Sequence, residues 1–375
     1  MKRDIIVFGE DWGALPSSTQ HIIRHLSYER KVIWVNSIGL RHPQLTVKDL
    51  KRLLHKFIKL MLRHKQAKCQ SLPSEQFVLV NPQTLPAPRH PLTRKISAYF
   101  LVRQLKKIMR LHQIADPVLW TSLPTAVDVV GKLGESSVVY YCGDDFSALT
   151  GVDHHTVTSR ESELVERAQL ILTASELLTN KFPAKITHAL PHGVDFDLFA
   201  NSAPRAADLP ADGRPIAGFY GSISPWLDIR LLEKVTSELP NWHFVFIGEI
   251  NTDINSLQHK ENVHFLGPRA HHLLPTYCQH WTVSLLPFCN NAQIRACNPL
   301  KLREYLAAGR PVVSTAFPAL KPYGKLIDVI HNAPAMVNAL KRALSRDVTR
   351  ASQKAVLKDT WAARANQVSE LVDTL

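Results

Sequence analysis

Short apolar runs recur along this chain at intervals long enough to hold a helix, and that spacing restricts the fold more than any other feature. Runs at 5–9, 31–36, 77–80, 118–121, 138–142, 170–174 and 186–190 are nearly continuous in Val, Ile and Leu, as strands buried on both faces must be. A second set follows at 216–220, 243–247, 263–266, 282–286 and 312–315. Strand and helix in alternation build a parallel sheet with helices on its faces. Between the two sets, residues 201–215 are rich in Pro, Ala and Asp and read as a linker. The length of 375 residues also exceeds what one hydrophobic core usually serves, so two α/β domains are expected.

Within the second set, Asn298-Pro-Leu-Lys-Leu-Arg-Glu-Tyr-Leu-Ala-Ala-Gly-Arg-Pro-Val-Val-Ser-Thr315 reads as a helix joined to a strand. Asn298 suits an N-cap, Pro299 the first helical position, and Gly309 the C-terminal stop before Pro311. The open N–H groups of such a helix start favour an anion, and Lys301 and Glu304, three positions apart, share a face. A cation beside phosphate and a carboxylate one turn on suit a nucleotide's diphosphate and ribose hydroxyls; an ordinary surface Lys–Glu pair has the same spacing. Ligands of open α/β sheets bind beyond the carboxyl ends of the strands. Asp144 and Asp145 follow the run at 138–142, and Glu10, Asp11 and Gly13 follow the first run. Either Asp144 or Asp145 is placed to take a proton from an attacking hydroxyl, the other common use of such an Asp being to cap the next helix.

The 298–315 segment resembles the nucleotide-sugar site of GT-B glycosyltransferases of the group 1, GT4-like kind. Three other segments agree with that family in order: Pro191-His-Gly-Val-Asp-Phe-Asp-Leu-Phe199, the Gly-rich turn Ile216-Ala-Gly-Phe-Tyr-Gly-Ser222, and Val263-His-Phe-Leu-Gly267. Phe8-Gly-Glu-Asp-Trp-Gly13 looks like the first strand and loop of its acceptor half. The likeness is nearest to bacterial exopolysaccharide and teichuronic-acid biosynthesis glycosyltransferases, whose Asn-Pro-Leu-Lys-Leu-x-Glu-Tyr-Leu-Ala-Ala-Gly pattern the chain follows.

This resemblance implies an α/β fold of GT-B architecture, two Rossmann-like domains with parallel sheets facing across a cleft. The implied parts are an acceptor-binding domain at 1–200, the linker at 201–215, a nucleotide-sugar-binding domain at 216–350, and a C-terminal helix at 351–375 crossing back to the first domain. The implied activity is metal-independent, hexosyl-type transfer from a nucleotide-sugar donor to a polysaccharide or lipid-linked glycan acceptor. The nucleotide sugar is then a substrate, with neither cofactor nor metal expected. Donor binding falls to Glu304, Lys301, Asn298, Gly221, Ser222, Arg269 and His192, catalysis to Asp144 and Asp145, and the acceptor side of the cleft to Glu10, Asp11 and Gly13. Some positions depart from the family. A second glutamate is common eight positions before Glu304, where this chain has Ala296, and His192 replaces the usual Asn. The Arg and Lys that often follow the Gly-rich turn are absent from Ser222-Ile-Ser-Pro-Trp-Leu-Asp228, which leaves Lys301, Arg295 or Arg269 to meet the diphosphate.

Charge is concentrated rather than spread. Residues 41–112 hold 16 Lys and Arg against 2 Asp and Glu, while the rest of the chain holds 29 against 30. Two stretches there, 48–63 and 94–111, interleave apolar residues with Lys and Arg at helical spacing. Basic amphipathic helices suit an anionic membrane surface, although any α/β domain also needs helices with one apolar stripe. Nucleic acid is not expected as a partner, since the segment carries no known binding motif and few aromatics for stacking bases.

Five cysteines without a Cys-x-x-Cys pair suggest neither a disulfide framework nor a zinc ribbon, and a reducing cytosol fits them. The N-terminal apolar run is too short for a signal peptide, and no stretch reaches the ~20 residues of a spanning helix. The expected place is therefore the cytoplasm, peripheral on the inner face of the plasma membrane. Dehydrogenase and P-loop kinase readings lack their glycine motifs. Asp195-Phe-Asp197 has a metal-binding Asp-x-Asp spacing but sits in the Pro-His-Gly-Val-Asp turn of the family. The alternatives are a nucleotide-sugar epimerase of the same fold, or a non-catalytic membrane-surface or scaffold protein on a decayed transferase fold.

Overall fold

The computed structural model describes residues 2–14, 17–37, 72–82, 90–148 and 153–375. The chain divides into two compact units, Met1–Leu190 with Ala365–Leu375, and Pro191–Arg364. Each unit is built on one parallel sheet.

In the first unit the strands are β1 (Ile5–Phe8), β2 (Val32–Val35), β3 (Phe77–Val80), β4 (Val118–Thr121), β5 (Ser137–Cys142), β6 (Leu170–Thr173) and β7 (Thr187–Ala189). Their order is β3-β2-β1-β4-β5-β6-β7. Central β1 pairs on both sides, Ile5 with Val32 and with Val118, and every residue of β1, β2 and β4 is buried. Fully burying each Val, Ile or Leu is worth about 1.5–3 kcal/mol, so these continuous apolar runs favour the sheet interior over any solvent-facing register. The order reverses between β1 and β4, which makes their carboxyl ends the topological switch point of this unit.

In the second unit β8 (Ile216–Tyr220), β9 (His243–Ile247), β10 (Val263–Phe265), β11 (Val283–Leu286), β12 (Val312–Thr315) and β13 (Ile327–Ile330) are ordered β10-β9-β8-β11-β12-β13. The switch point here lies between β8 and β11. Trp281, 1 % exposed, lies flat where a Cβ at Gly218 would stand, 1.6 Å from its Cε3, so β8 admits only glycine at that position.

Helix Pro91–Leu111 opens with His90, whose Nδ1 accepts the Leu92 N–H, and with Pro91 where no N–H is needed. Its buried face is Ser97, Ala98, Leu101, Leu105 and Met109. Tyr99, one of the apolar residues of the 94–111 stretch, is 60 % exposed and packs edge-on against exposed Phe100, their centroids 5.6 Å apart. Ser97 and Ala98, next to them in sequence, take the buried face instead. The other basic stretch, 48–63, lies outside the described residues. Among the described residues no helix is long and apolar enough to cross a membrane. The last helix, Trp361–Asp373, starts in the second unit, and within the first unit its far end is held by Arg30, whose Nη2 donates to Ser369 Oγ at 2.6 Å.

Candidate functional site

At the carboxyl end of β8 the chain turns through Gly221, whose φ of +130° is one that side chains rarely adopt. Gly248, at the end of β9, faces it with φ +149°; a Cβ there would stand 2.0 Å from the Gly221 carbonyl oxygen. Two glycines in contact thus leave a bare backbone turn at the switch point. Tyr220 anchors it from below: its N–H donates to Tyr305 Oη at 3.0 Å and its hydroxyl donates to Glu304 Oε2 at 2.6 Å.

Glu304 and Tyr305 come from helix Leu300–Ala307. The cap of this helix is one residue later than the sequence suggests: Pro299, with extended ψ of 127°, occupies the cap without a side-chain bond. The Asn298 side chain is engaged elsewhere, its Oδ1 accepting from Arg303 Nη1 at 2.8 Å. A charge-assisted bond to a guanidinium outweighs a neutral cap bond, so Asn298 fixes the approach to the helix and is not its N-cap. Gly309 does close the helix, with φ +73° and its N–H on the Leu306 carbonyl.

The other Glu304 oxygen, Oε1, lies 2.7 Å from His271 Nε2. Burial alone would lower His271, but the hydrogen bond to Glu304 and the charges of Glu304 and Asp195 outweigh it and raise the imidazole above its ordinary value. Glu304 is 8 % exposed, so this His–Glu–Tyr group is a largely desolvated, hydrogen-bonded unit under the glycine turn.

Lys301 is the electrostatic feature of the site. Its Nζ sits 5.1 Å from the Phe219 ring centre and 5.6 Å from that of Phe288, at the ends of β8 and β11. A Cβ on Gly221 would stand 2.7 Å from that Nζ, so the ammonium rests directly against the glycine turn. Among the described residues it has no hydrogen bond or ion pair. Burial pushes Lys301 below the ordinary lysine value, against the weaker pull of Cys297 and Glu304. A cation placed on two aromatic faces, without an ion-pair partner among the described residues, suits an anionic ligand.

The remaining donor-side candidates divide. Ser222 shares the turn, its Oγ 2.5 Å from Ser224 Oγ and accepting from Asn251 Nδ2 at 3.1 Å. Arg269 is committed, donating from Nη2 to Asp208 Oδ2 at 2.7 Å and from Nε to Tyr277 Oη at 2.9 Å. Arg295 Nη1 donates to Asn290 Oδ1 at 3.1 Å. His192 is pushed down to about 3 by burial, with Arg303 and Arg364 adding to the shift, so it stays neutral at physiological pH. Sequence reasoning missed His271, Tyr220, Phe219 and Phe288. The ends of β8, β10 and β11 point to them, because each lies within a few residues of a strand's carboxyl end.

In the first unit, Glu10 is a brace: its Oε1 accepts from Ser17 Oγ and from Gln20 Nε2, the latter at 2.8 Å. Asp11 accepts the Ser37 N–H at 3.2 Å, and the Gly13 N–H donates to Gln20 Oε1 at 3.2 Å. Asp145 and Asp144 are separated by their partners. Asp145 Oδ1 accepts from Lys181 Nζ at 2.6 Å and from the Ser147 hydroxyl and N–H at 2.6 and 3.0 Å. Desolvation would raise Asp145, but these donors outweigh it and lower its carboxyl. Asp144 has an exposed side chain without a hydrogen-bond partner among the described residues. Desolvation by its surroundings and the Asp145 charge raise its carboxyl, and solvent access limits how far it rises. No group of three or more His, Cys, Asp or Glu is placed to hold a metal ion among the described residues.

Two doubly wound parallel sheets, the second with a glycine turn over a Lys–Glu helix, define the GT-B class. The fold matches solved structures of that class over the whole chain. Anabaena HepE in complex with UDP has a TM-score of 0.67 at 14% identity, covering 99% of this chain and 100% of that one. Sucrose-phosphate synthase from Thermosynechococcus elongatus has a TM-score of 0.72 at 17% identity, covering 100% and 99%. Within the class, residues 214–346 match the family model of group 1 glycosyl transferases. TuaH of Bacillus subtilis (strain 168), provisionally named a teichuronic acid biosynthesis glycosyltransferase, is 28% identical over 229 residues. That match takes in 55% of this chain and 58% of TuaH, so the chain spans little more than half of this curated relative.

Proposed function

We propose that this protein is a glycosyltransferase that moves a sugar from a nucleotide-sugar donor to a polysaccharide or lipid-linked glycan acceptor at the inner face of the cytoplasmic membrane. The observation that carries the reading is Lys301, an ammonium with no ion-pair partner among the described residues, set against the Gly221 turn three residues from Glu304. The donor's diphosphate meets Lys301 and the bare backbone of the turn, where no Cβ intervenes. Its ribose hydroxyls meet Glu304, held in place by Tyr220 and His271. The UDP complex of HepE and the name given to TuaH support a nucleotide sugar as donor and a cell-envelope glycan as product.

The first unit takes the acceptor, and Asp144 or Asp145 faces its hydroxyl. In an inverting transfer the acceptor oxygen bonds to the anomeric carbon as the bond from that carbon to the diphosphate oxygen breaks. The electron pair leaves with the nucleoside diphosphate, and the hydroxyl proton passes to the aspartate. Rate comes mainly from positioning the donor and from stabilising the departing diphosphate by Lys301 and the first-turn N–H groups of helix Leu300–Ala307. Membrane placement rests on helix Pro91–Leu111. Its exposed side carries Leu92, Ile96, Tyr99 and Phe100 toward one end and Arg103, Lys106, Lys107 and Arg110 toward the other. An apolar and aromatic half enters the headgroup boundary, and each cation near an anionic leaflet adds about 1 kcal/mol.

The test is sugar transfer from a panel of radiolabelled nucleotide sugars into a bacterial lipid extract and into isolated envelope glycan. Incorporation from one nucleotide sugar, lost in Lys301→Met, is the expected result. A donor sugar converted without transfer would identify an epimerase instead, and neither binding nor turnover would identify a decayed site.

A further inference from the structure

His271 opens a single helical turn, His271–Leu273, that follows β10 in the second unit. Arg269, bonded to Asp208 and Tyr277, fixes the segment before it, and the Leu274 N–H on the His271 carbonyl at 3.1 Å fixes the segment after it. The imidazole packs edge-on against fully buried Phe199, ring centres 5.4 Å apart, and places Nε2 2.7 Å from Glu304 Oε1. Its side chain keeps 25 % of its surface exposed, so the ring exchanges a proton with solvent. Of the groups facing the pair, Tyr220 and Cys278 stay protonated, because burial pushes the hydroxyl and the thiol up. Asp195, in the turn before Phe199, adds a negative charge that favours the imidazolium. Lys301 stands one turn from Glu304 on the same helix, Arg269 is committed to Asp208, and His272, next in sequence, is exposed.

Resting on the nucleotide-sugar reading above, we propose that His271 is a positioning residue whose ring proton sets how tightly the site holds its anionic donor. Protonated, the ring balances the Glu304 carboxylate, and the site keeps the positive charge of Lys301 for the diphosphate. Neutral, as the Nε2–H tautomer, it still holds Glu304 by a hydrogen bond, but the carboxylate is then uncompensated and offsets Lys301. A nucleotide sugar, whose diphosphate is fully ionised at neutral pH, therefore binds the protonated form more tightly. Linkage gives the converse: donor binding strengthens the hold of His271 on its proton, and the complex takes up protons as it forms. Burial would lower His271, but the bond to Glu304 and the charges of Glu304 and Asp195 outweigh it, so the ring titrates above the ordinary value of about 6.5. Donor affinity accordingly falls as pH rises through the folded value.

Calorimetric titration of UDP-, GDP- and ADP-glucose into the full chain, from about pH 5.5 to about pH 8.5 and in two buffers of different ionisation enthalpy, reads affinity and proton uptake together. Three variants separate position from charge. His271→Gln keeps a donor for Glu304 without a titrating proton, His271→Leu removes the donor as well, and His272→Gln controls for the exposed neighbour. Expected in wild type are a Kd that rises about 5- to 20-fold across the range and net proton uptake on binding. His271→Gln should bind close to wild type at the alkaline end and lose the pH dependence, His271→Leu should bind more weakly at every pH, and His272→Gln should follow wild type. Should His271→Leu fail to fold, the His271→Gln profile decides alone. Wild-type binding that is flat with pH, or a His271→Gln profile that matches wild type, would overturn the proposal while leaving the donor site standing. A folded wild type that binds none of the three probes would overturn the nucleotide-sugar reading and the proposal with it.

Discussion

Lys301→Met is the substitution whose two effects the structure separates most clearly. Methionine fills the slot between Phe219 and Phe288 without the charge, so the change is chiefly electrostatic. In the ligand-free protein the ammonium loses hydration worth several kcal/mol and regains about 0.5–2 kcal/mol at each aromatic face. The balance is against the charge, in keeping with the lowered lysine pKa. The variant is expected to be more stable by about 1 kcal/mol, or about 2–4 °C in Tm for a unit of this size. The pH dependence has a definite sign. Folded Lys301 releases its proton below the unfolded value of about 10.4, so the unfolded chain binds more protons in that window. Wild-type stability therefore gains on the variant as pH rises through the window. Donor binding moves the other way, since losing a charge-assisted contact to phosphate costs about 1.5–3 kcal/mol, roughly 10- to 150-fold in Kd. Calorimetric melting and donor titration on the same samples provide the check. A variant that melts lower than wild type, or binds donor equally well, would refute the reasoning.

Three other outcomes follow. Gly248→Ala places a Cβ against the Gly221 carbonyl at a φ of +149°, so it should cost about 1–3 kcal/mol in denaturant unfolding and abolish the donor-induced rise in Tm. His271 has a raised pKa in the folded state, so its pairing with Glu304 stabilises fully below the unfolded value of about 6.5 and fades as pH rises through the folded value. His271→Gln should flatten the melting profile across that window. His192 behaves oppositely: with a folded value of about 3, the unfolded chain binds the extra proton below about pH 6.5, and His192→Asn should remove that part of the acid destabilisation.

The sheet was largely legible because strands buried on both faces write themselves as continuous apolar runs. The run at 77–80 coincides with β3, and those at 216–220 and 243–247 with β8 and β9. β13 was missed because Asp328 interrupts it; that carboxylate is bound by Arg342 at 3.0 Å and Arg346 at 2.6 Å, partners distant in sequence. Helical spacing put Lys301 and Glu304 on one face, but an ordinary surface pair has the same spacing, and their donor role came from the family resemblance. The commitment of Arg269 to Asp208 was not, since 61 residues separate them. Nor does a pair of adjacent aspartates reveal which one a lysine 36 positions later will hold. His271 was hidden for a similar reason, as a loop histidine gains meaning only beside the carboxylate it touches.

The proposed nucleotide-sugar site on the second unit stands on Glu304 and Lys301. Isothermal calorimetry of a nucleotide-sugar panel against wild type and Glu304→Ala tests it most directly, with Glu304→Gln as the control that keeps an acceptor for the Tyr220 hydroxyl. The account predicts selective binding of one nucleotide's sugars by wild type and its loss in Glu304→Ala with the protein still folded. Folded wild type that binds no nucleotide sugar, or Glu304→Ala that binds as tightly as wild type, would contradict it.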